Sequence, residues 1–207
     1  SGIIYPVFTY KGRAGYLKEK IIDAFPGEAI SLEENIKRLA GVPLAHEPGE
    51  GQTYGMNMDV LGRVIEVLDG RPFAKYMREE IFSPLKMKDT GFAVPKNKWN
   101  RVSSVYTTKN GKLALFDESV FDEKAPNNKP EWWKRNPDKI ALGGAGLIST
   151  AIDYALFLQM LVNGGELDGK RILGRKTVNM ISRGIHQSCL LYTSPSPRDA
   201  THLVCRL

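Results

Sequence analysis

The sequence has few of the residues on which disulfide frameworks and metal sites depend. Its 207 residues include two cysteines, Cys189 and Cys205, and three histidines that form no cluster. This is too little for a disulfide scaffold or a set of metal ligands. A phosphate-binding loop with its lysine and the glycine spacing of a dinucleotide-binding fold are missing as well. The sequence therefore predicts no metal site and no cofactor.

Long apolar runs and dense blocks of charge are also missing. No segment reaches the roughly 20 apolar residues of a transmembrane helix, and the first residues lack a signal-peptide pattern. The net charge of +6 comes from 29 basic and 23 acidic residues that are interspersed. A nucleic-acid surface would need a basic run with interleaved aromatic residues. We expect neither a membrane segment nor a nucleic-acid partner, and the sequence indicates no compartment or oligomeric state.

The composition is that of a globular domain, with 42% hydrophobic and 25% charged residues. The apolar spacing and turn residues predict several helices and one strand hairpin. The first 28 residues are predicted to be rich in loops, with one short amphipathic piece around Leu17 to Ala24. The elements predicted after them are helices after Ser31, from Asp59 to Gly70, from about Pro72 to Pro84 and after Ser149, and a hairpin turning at Asn110-Gly111. Mixed helices and antiparallel strands indicate the α+β class.

Residues 47–62 place a tyrosine, Tyr54, on a loop just before a helix. The positive end of a helix dipole favours a phenolate, so this position suits a catalytic base. From the pattern alone, a tyrosine that packs its ring under the loop is the alternative, and both interpretations stay open. The nearby acidic residues Glu47, Glu50 and Asp59 are expected to cap turns or to be solvated.

Three stretches in the same order resemble the serine β-lactamase-like hydrolases, and in particular their class C β-lactamase and carboxylesterase branch. They are residues 43–70, 81–92 and 143–165, and the resemblance extends over roughly residues 1 to 184. It implies a β-lactamase/transpeptidase-like fold with an antiparallel sheet flanked by helices. It also implies acyl transfer through a covalent acyl-enzyme, on small-molecule esters, amides or lactams.

The resemblance assigns roles to residues of the tyrosine loop and of a glycine-rich loop. Tyr54 corresponds to the catalytic tyrosine. The implied substrate-binding residues are Gly55, Met56, Asn57, Gly144, Ala145 and Gly146. Met56 stands where class C β-lactamases have an asparagine that holds a substrate amide, although a shift by one residue would bring Asn57 there. Ala145 takes the place of a large aromatic residue. Loss of the amide contact is common in esterase-like members and favours ester substrates.

The nucleophile of this family, a serine with a lysine one helical turn later, has no competent counterpart in the sequence. The single Ser-x-x-Lys runs from Ser83 to Lys86, includes Pro84, and follows Tyr54 instead of preceding it. Ser1-Gly2 resembles the end of a His-Thr-Ser-Gly segment that lies downstream of the nucleophile. We therefore expect an inactive internal fragment, incomplete at both ends, of a serine hydrolase. A catalytically inactive binding or regulatory domain is the alternative.

The C-terminal segment differs in character from the residues before it. From Gln187 onward there is no helical or strand period, and Pro195 and Pro197 interrupt any regular element. The segment resembles translated adaptor sequence. We expect residues 1–186 to form a partial β-lactamase-related domain and residues 187–207 to be a non-native or disordered tail that stability does not require.

Overall fold

The computed structural model describes residues 1–5, 13–23, 30–109, 111–115 and 141–182. The chain forms two compact units, Ser1–Ala155 and Leu156–Leu207. The predicted tail, residues 187–207, lies outside the described residues. None of the helices within the described ranges is both long enough and apolar enough to span a bilayer.

Short helices predominate, and the strands are brief. The elements are α1 Arg13–Lys18, α2 Leu32–Ala40, α3 Asn57–Asp69, α4 Phe73–Met77 with a π-helical turn Arg78–Phe82, a 3₁₀ helix Lys96–Arg101, β1 Tyr106–Lys109, β2 Lys112–Leu115, α5 Ala151–Val162, β3 Glu166–Leu167, β4 Lys170–Arg171 and α6 Arg175–Ser182. This mixture confirms the α+β class.

The strands in the described ranges pair antiparallel, as two separate ladders. Strand β1 pairs with β2 from Tyr106 opposite Leu115 to Lys109 opposite Lys112, which confirms the predicted hairpin. Gly111 has a φ of 73°, the left-handed conformation that tight hairpin turns require. Strand β3 pairs with β4, and an isolated antiparallel bridge joins Gly91 to Ile148.

Two apolar clusters form the core of the first unit, and α2 contributes to both. The first cluster consists of Ile22, Leu32, Phe73, Ala74, Phe92, Ala141 and Leu142. The second consists of Ile4, Tyr5, Tyr16, Leu39, Val42 and Met56. Leu32 and Leu39 are seven residues apart, so they lie on one face of α2, two turns from each other. The second cluster anchors the tyrosine loop, because Met56 belongs to it.

The helix boundaries follow the capping signals of the sequence. The Ser31 hydroxyl accepts a hydrogen bond from the backbone N–H of Glu34 at 3.1 Å, and Gly70 ends α3 at a φ of 83°. Helix α3 begins at Asn57, two residues before the predicted start, because the Met56 carbonyl already accepts hydrogen bonds from Asp59 and Val60. The loop that carries Tyr54 is correspondingly short.

The short amphipathic piece predicted around Leu17 to Ala24 is helical only in its first residues, and Ala24 lies outside the described residues. Helix α1 ends at Lys18, and Lys20 has a φ of 50°. The fully buried Asn35 explains the difference. Its side chain accepts a hydrogen bond from the N–H of Ile22 and donates one to the carbonyl of Ile22, both at 2.8 Å. These bonds satisfy the backbone of Ile22 outside a helix.

In the second unit, the two-stranded ladder β3–β4 and helix α6 follow a glycine turn. Gly165 has a φ of 97°, and a Cβ atom there would lie 2.1 Å from the Leu173 carbonyl oxygen. Glycine is therefore required at this position. The Gly165 carbonyl accepts hydrogen bonds from the N–H groups of Ile172 and Leu173, which fixes the ladder against the turn.

Candidate functional site

Tyr54 lies on the loop that enters α3, three residues before the first helical residue. Its side chain is 72% exposed. Its carbonyl accepts a hydrogen bond from the Tyr5 N–H at 3.3 Å, and the two rings lie 5.3 Å apart between centroids at an angle of 40°. The ring therefore rests against Tyr5 and is not buried under its own loop. Its action as a base stays a prediction.

The extended segment Ser1–Tyr5 holds the tyrosine loop through close backbone contact. A Cβ atom at Gly55 would lie 1.9 Å from the Ile3 carbonyl oxygen, and one at Gly2 would lie 2.2 Å from the His46 carbonyl oxygen. Ala45 donates a backbone hydrogen bond to Gly2 at 2.9 Å. Glycines at positions 2 and 55 thus allow the segment to fit between two loops.

The two residues after Gly55 have different surroundings. Met56 is fully buried in the second apolar cluster, so its side chain can line a substrate pocket only if the packing changes. Asn57 is half-buried, and its side-chain carbonyl accepts a hydrogen bond from the Ser1 hydroxyl at 2.5 Å. Asn57 is therefore the polar side chain that this loop offers at the start of α3.

Asp59, in the first turn of α3, is the residue that sequence reasoning missed. The expectation that it is solvated is wrong, because its side chain is 1% exposed. One carboxylate oxygen accepts a hydrogen bond from the Tyr5 hydroxyl at 3.5 Å, and the other accepts one from the Gly144 N–H at 3.4 Å. The partners lie far away in the sequence, so no local pattern could have revealed them.

Burial changes the proton affinities of this buried pair. Burial raises the pKa of the Asp59 carboxyl, although hydrogen bonds from Gly144, from its own backbone N–H, from Tyr5 and from Gly143 act in the opposite direction. Burial, and then the charge of Asp59, raise the pKa of Tyr5 well above that of an ordinary phenol. Tyr5 therefore stays a neutral hydrogen-bond donor.

The glycine-rich loop packs against the same place. A Cβ atom at Gly143 would lie 2.1 Å from the Met58 carbonyl oxygen, and one at Gly144 would lie 2.1 Å from the Tyr5 hydroxyl oxygen. Ala145 and Gly146 are partly exposed. Both the tyrosine loop and the glycine-rich loop thus contact Tyr5, and the glycine-rich loop also contacts Asp59. A cavity shared by the two loops stays a prediction.

A cleft of about 880 Å³ opens at another place in the first unit. Its described walls combine apolar residues, such as Phe92 and Ile148, with charged ones, and include neither of the two loops. Asp89 in its wall binds Lys98 at 2.5 Å and Arg101 at 2.8 Å. Hydrogen bonds from Arg101 and then from Lys98 lower the pKa of Asp89 to about 2. Asp89 offsets one of these two positive charges, so the group keeps a net positive charge.

The Ser83–Lys86 pair does not have the geometry of a nucleophile and its lysine. Ser83 follows the π-helical turn, and its N–H donates to the Arg78 carbonyl at 2.8 Å. Lys86 closes a turn on the Ser83 carbonyl and has a φ of 58°, outside the helical region. The lysine is therefore not one α-helical turn above the serine.

Within the described part of the chain there is also no group of three or more His, Cys, Asp or Glu residues that could hold a metal ion.

Comparison with known proteins identifies the family. Residues 12–188 match the model of the Beta-lactamase family. The chain belongs to the serine β-lactamase-like hydrolase family. The resemblance seen in the tyrosine and glycine-rich stretches is thereby confirmed.

Curated relatives of the family include enzymes and an uncharacterized protein. Esterase EstB of Burkholderia gladioli is 40% identical over 92 residues, which cover 44% of this chain and 23% of the esterase. An uncharacterized protein of Mycobacterium tuberculosis is 32% identical over 143 residues, covering 69% of this chain and 33% of its own. An N-acetylmuramyl-L-alanine amidase of Bacillus subtilis is 27% identical over 182 residues, which cover 82% of this chain and 37% of the amidase. The chain thus spans between 23% and 37% of these relatives.

Solved structures confirm the β-lactamase/transpeptidase-like fold. EstCE1, a hydrolase with promiscuous acyltransferase activity, superposes with a TM-score of 0.72 at 22% identity, over 88% of this chain and 48% of its own. Simvastatin synthase LovD from Aspergillus terreus superposes with a TM-score of 0.58 at 24% identity, over 86% of this chain and 39% of LovD. At this level of identity, the likeness concerns the fold alone.

The close approach of Gly55 to Ile3 gives a stability prediction. Gly55→Ala forces the loop away from the Ile3 carbonyl and should destabilise the first unit by about 2 kcal/mol or more. Gly91→Ala is the matched control, because its new Cβ would lie 3.5 Å from its nearest neighbour, the Ala93 carbonyl oxygen. Chemical denaturation of both variants measures the difference. Equal midpoints would contradict the packing described for the tyrosine loop.

The raised pKa of Asp59 predicts how stability depends on pH. The folded protein binds the Asp59 proton more tightly than the unfolded chain, so the contribution of Asp59 to stability falls as pH rises from about 4 through its raised pKa. Asp59→Asn removes this titration. The free energy of unfolding of wild type minus that of Asp59→Asn should therefore decrease with rising pH and then level off. A difference that grows with pH would show that Asp59 is not desolvated.

Proposed function

We propose that this chain supplies the tyrosine-bearing part of a serine hydrolase active site, which cleaves ester, amide or lactam bonds of small molecules through an acyl-enzyme. The observation that carries the proposal is the placement of Tyr54. Its phenol is exposed, while its backbone is anchored by Tyr5 and its loop by Ile3. An exposed reactive group on a fixed backbone is what positioned acid–base catalysis requires.

In the proposed reaction, Tyr54 takes the proton of the serine hydroxyl while the serine oxygen attacks the carbonyl carbon of the substrate. Tyr54 returns this proton to the leaving alcohol or amine, and water then hydrolyses the acyl-enzyme, which releases the acid and restores the serine hydroxyl. Tyr54 is therefore assigned the role of general base.

The serine in this proposal belongs to a segment outside the present chain. The single Ser-x-x-Lys of the sequence, Ser83 to Lys86, ends a helix with the lysine in a left-handed conformation. Such a pair cannot hold an ammonium group against the serine hydroxyl as successive turns of an α-helix do. This geometry argues against Ser83 as the nucleophile.

Ester substrates are favoured within this proposal. Met56 occupies the place of the amide-holding asparagine and is fully buried, so this position offers no polar group to a substrate amide. The relative named esterase EstB, 40% identical over the stretch it shares with this chain, supports the same preference. The half-buried Asn57 is the residue through which an amide or lactam would be bound instead.

A catalytically inactive binding or regulatory domain is the second candidate. It is favoured by the missing competent Ser-x-x-Lys in the sequence. Reading the gene upstream separates the two candidates, because only the hydrolase requires Ser-x-x-Lys before a His-Thr-Ser-Gly segment. Another residue in place of that serine would favour the binding domain.

Hydrolysis of p-nitrophenyl butyrate and of a chromogenic cephalosporin tests the assignment. The chain alone should show no turnover that depends on Tyr54. In the gene product extended to include Ser-x-x-Lys, Tyr54→Phe should lower kcat by about 10²- to 10⁴-fold, the usual contribution of a general base. Tyr106→Phe, at an exposed tyrosine of the hairpin, is the control and should retain activity.

Two results would contradict the proposal in different ways. Turnover by the present chain that is lost in Tyr54→Phe would place the nucleophile within it. Full activity of Tyr54→Phe in the extended protein would remove Tyr54 from the mechanism.

A further inference from the structure

Asp59 is a buried carboxylate that the proposed reaction does not use. Its side chain is 1% exposed, and no ion pair to it exists among the described residues. A buried charge without a cation is costly, and hydrogen bonds must offset that cost. Asp59 obtains them from the Tyr5 hydroxyl and from the backbone N–H of Gly144. The N–H groups of Gly143 and of Asp59 itself are further donors, so the Tyr5 hydroxyl and the glycine-rich loop together supply its donors from outside α3.

The two partners belong to segments that are distant in sequence. Tyr5 is 54 residues away, on the extended segment before α1, and Gly144 is 85 residues away, on the glycine-rich loop. The carboxylate uses a different oxygen for each partner. The glycine-rich loop lies so close that a Cβ atom at Gly144 would be 2.1 Å from the Tyr5 hydroxyl oxygen and 2.9 Å from an Asp59 carboxylate oxygen. Tyr5, Asp59 and Gly144 are therefore in direct contact with one another.

Tyr5 connects Asp59 to Tyr54. The Tyr5 N–H donates to the Tyr54 carbonyl at 3.3 Å, and its ring lies against the Tyr54 ring. Tyr5 is 4% exposed and belongs to the second apolar cluster, so it is held in place by packing as well. Contacts thus run without interruption from the glycine-rich loop through Asp59 and Tyr5 to Tyr54.

We propose that Asp59 is a positioning residue that fixes the tyrosine loop and the glycine-rich loop relative to each other, with Tyr5 as the link to Tyr54. The coupling of the two loops stands on their contacts alone. Its consequence for catalysis rests on the proposed function, because it matters only if Tyr54 acts on a substrate held beside the glycine-rich loop.

Hydrogen exchange of the full chain, followed by mass spectrometry, tests the coupling without any need for activity. Asp59→Ala should accelerate amide exchange in residues 53–56 and in residues 143–146 together, by about 10-fold or more. Asp59→Asn keeps an oxygen that accepts from Gly144 and should restore slow exchange in the glycine-rich loop. Tyr5→Phe should accelerate exchange in residues 53–56 and leave residues 143–146 slow.

The matched control is Asn35→Ala. Asn35 is also fully buried, but it binds the backbone of Ile22 and touches neither loop. It should accelerate exchange around Ile22 and in α2 without selective acceleration in the two loops. Equal acceleration everywhere in Asp59→Ala, as in a general loss of stability, would overturn the proposal. Acceleration confined to one of the two loops would overturn it as well.

A kinetic measurement separates failure of this inference from failure of the proposed function. In a protein that contains this chain and shows Tyr54-dependent turnover, Asp59→Ala should lower kcat by about 10- to 100-fold with KM changed by less than about twofold, since misplacement of a catalytic group acts on the chemical step. Asp59→Asn should recover most of kcat. Coupled exchange, together with no Tyr54-dependent turnover in a protein that contains this chain and Ser-x-x-Lys, would refute the proposed function and leave the coupling intact. Uncoupled exchange would refute the coupling whatever the activity.

Discussion

The backbone of Gly55 lies against the Ile3 carbonyl so closely that no side chain fits between them. This contact fixes where the chain enters α3, and the Tyr5–Tyr54 backbone hydrogen bond lies directly beside it. Met56 then turns into the second apolar cluster. Met56 already has the N-cap conformation of α3, with a φ of −76° and a ψ of 28°, so the backbone is no longer extended when it reaches the buried Met56, and Tyr54 stays exposed. The exposure of Tyr54 follows from this packing.

The polar interior around α3 adds a second constraint. Asp59 and Tyr5 are both buried, and neither can lose its partner without leaving a desolvated polar group. The same carboxylate accepts from Gly144, so the glycine-rich loop is drawn to the N-terminal end of α3. Two segments that the family resemblance associates with one acyl pocket are thus held by one side chain.

Local signals in the sequence predicted local structure well. The Ser31 cap, the Gly70 stop and the hairpin turn that includes Gly111 each act through neighbouring residues, and the structure contains these features. The place where α1 ends was not predicted, because Asn35, 13 residues beyond Ile22, takes over the backbone hydrogen bonds of Ile22. The apolar periodicity of the segment around Ile22 cannot reveal a contact with a residue so far along the chain.

At the candidate site, too, local features could be predicted from the sequence and long-range contacts could not. A tyrosine before a helix and a glycine-rich loop before another are recognisable from residue order, and the family match confirms the resemblance that they carry. The roles of Tyr5 and Asp59 were not recognisable, because a lone aspartate in a first helical turn usually caps or stays solvated. Only the approach of Gly143 and Gly144 to α3 shows why this one is buried.

Tyrosine nitration by tetranitromethane, followed by peptide mass spectrometry, tests the central claim that packing holds Tyr54 outward beside a buried Tyr5. Tyr54, at 72% exposed, should be nitrated at least as fast as Tyr106, at 55%. Tyr5 and Tyr16, at 4% and 3%, should stay protected in the folded protein. Protection of Tyr54, or nitration of Tyr5 at the rate of Tyr106, would contradict this account of the site.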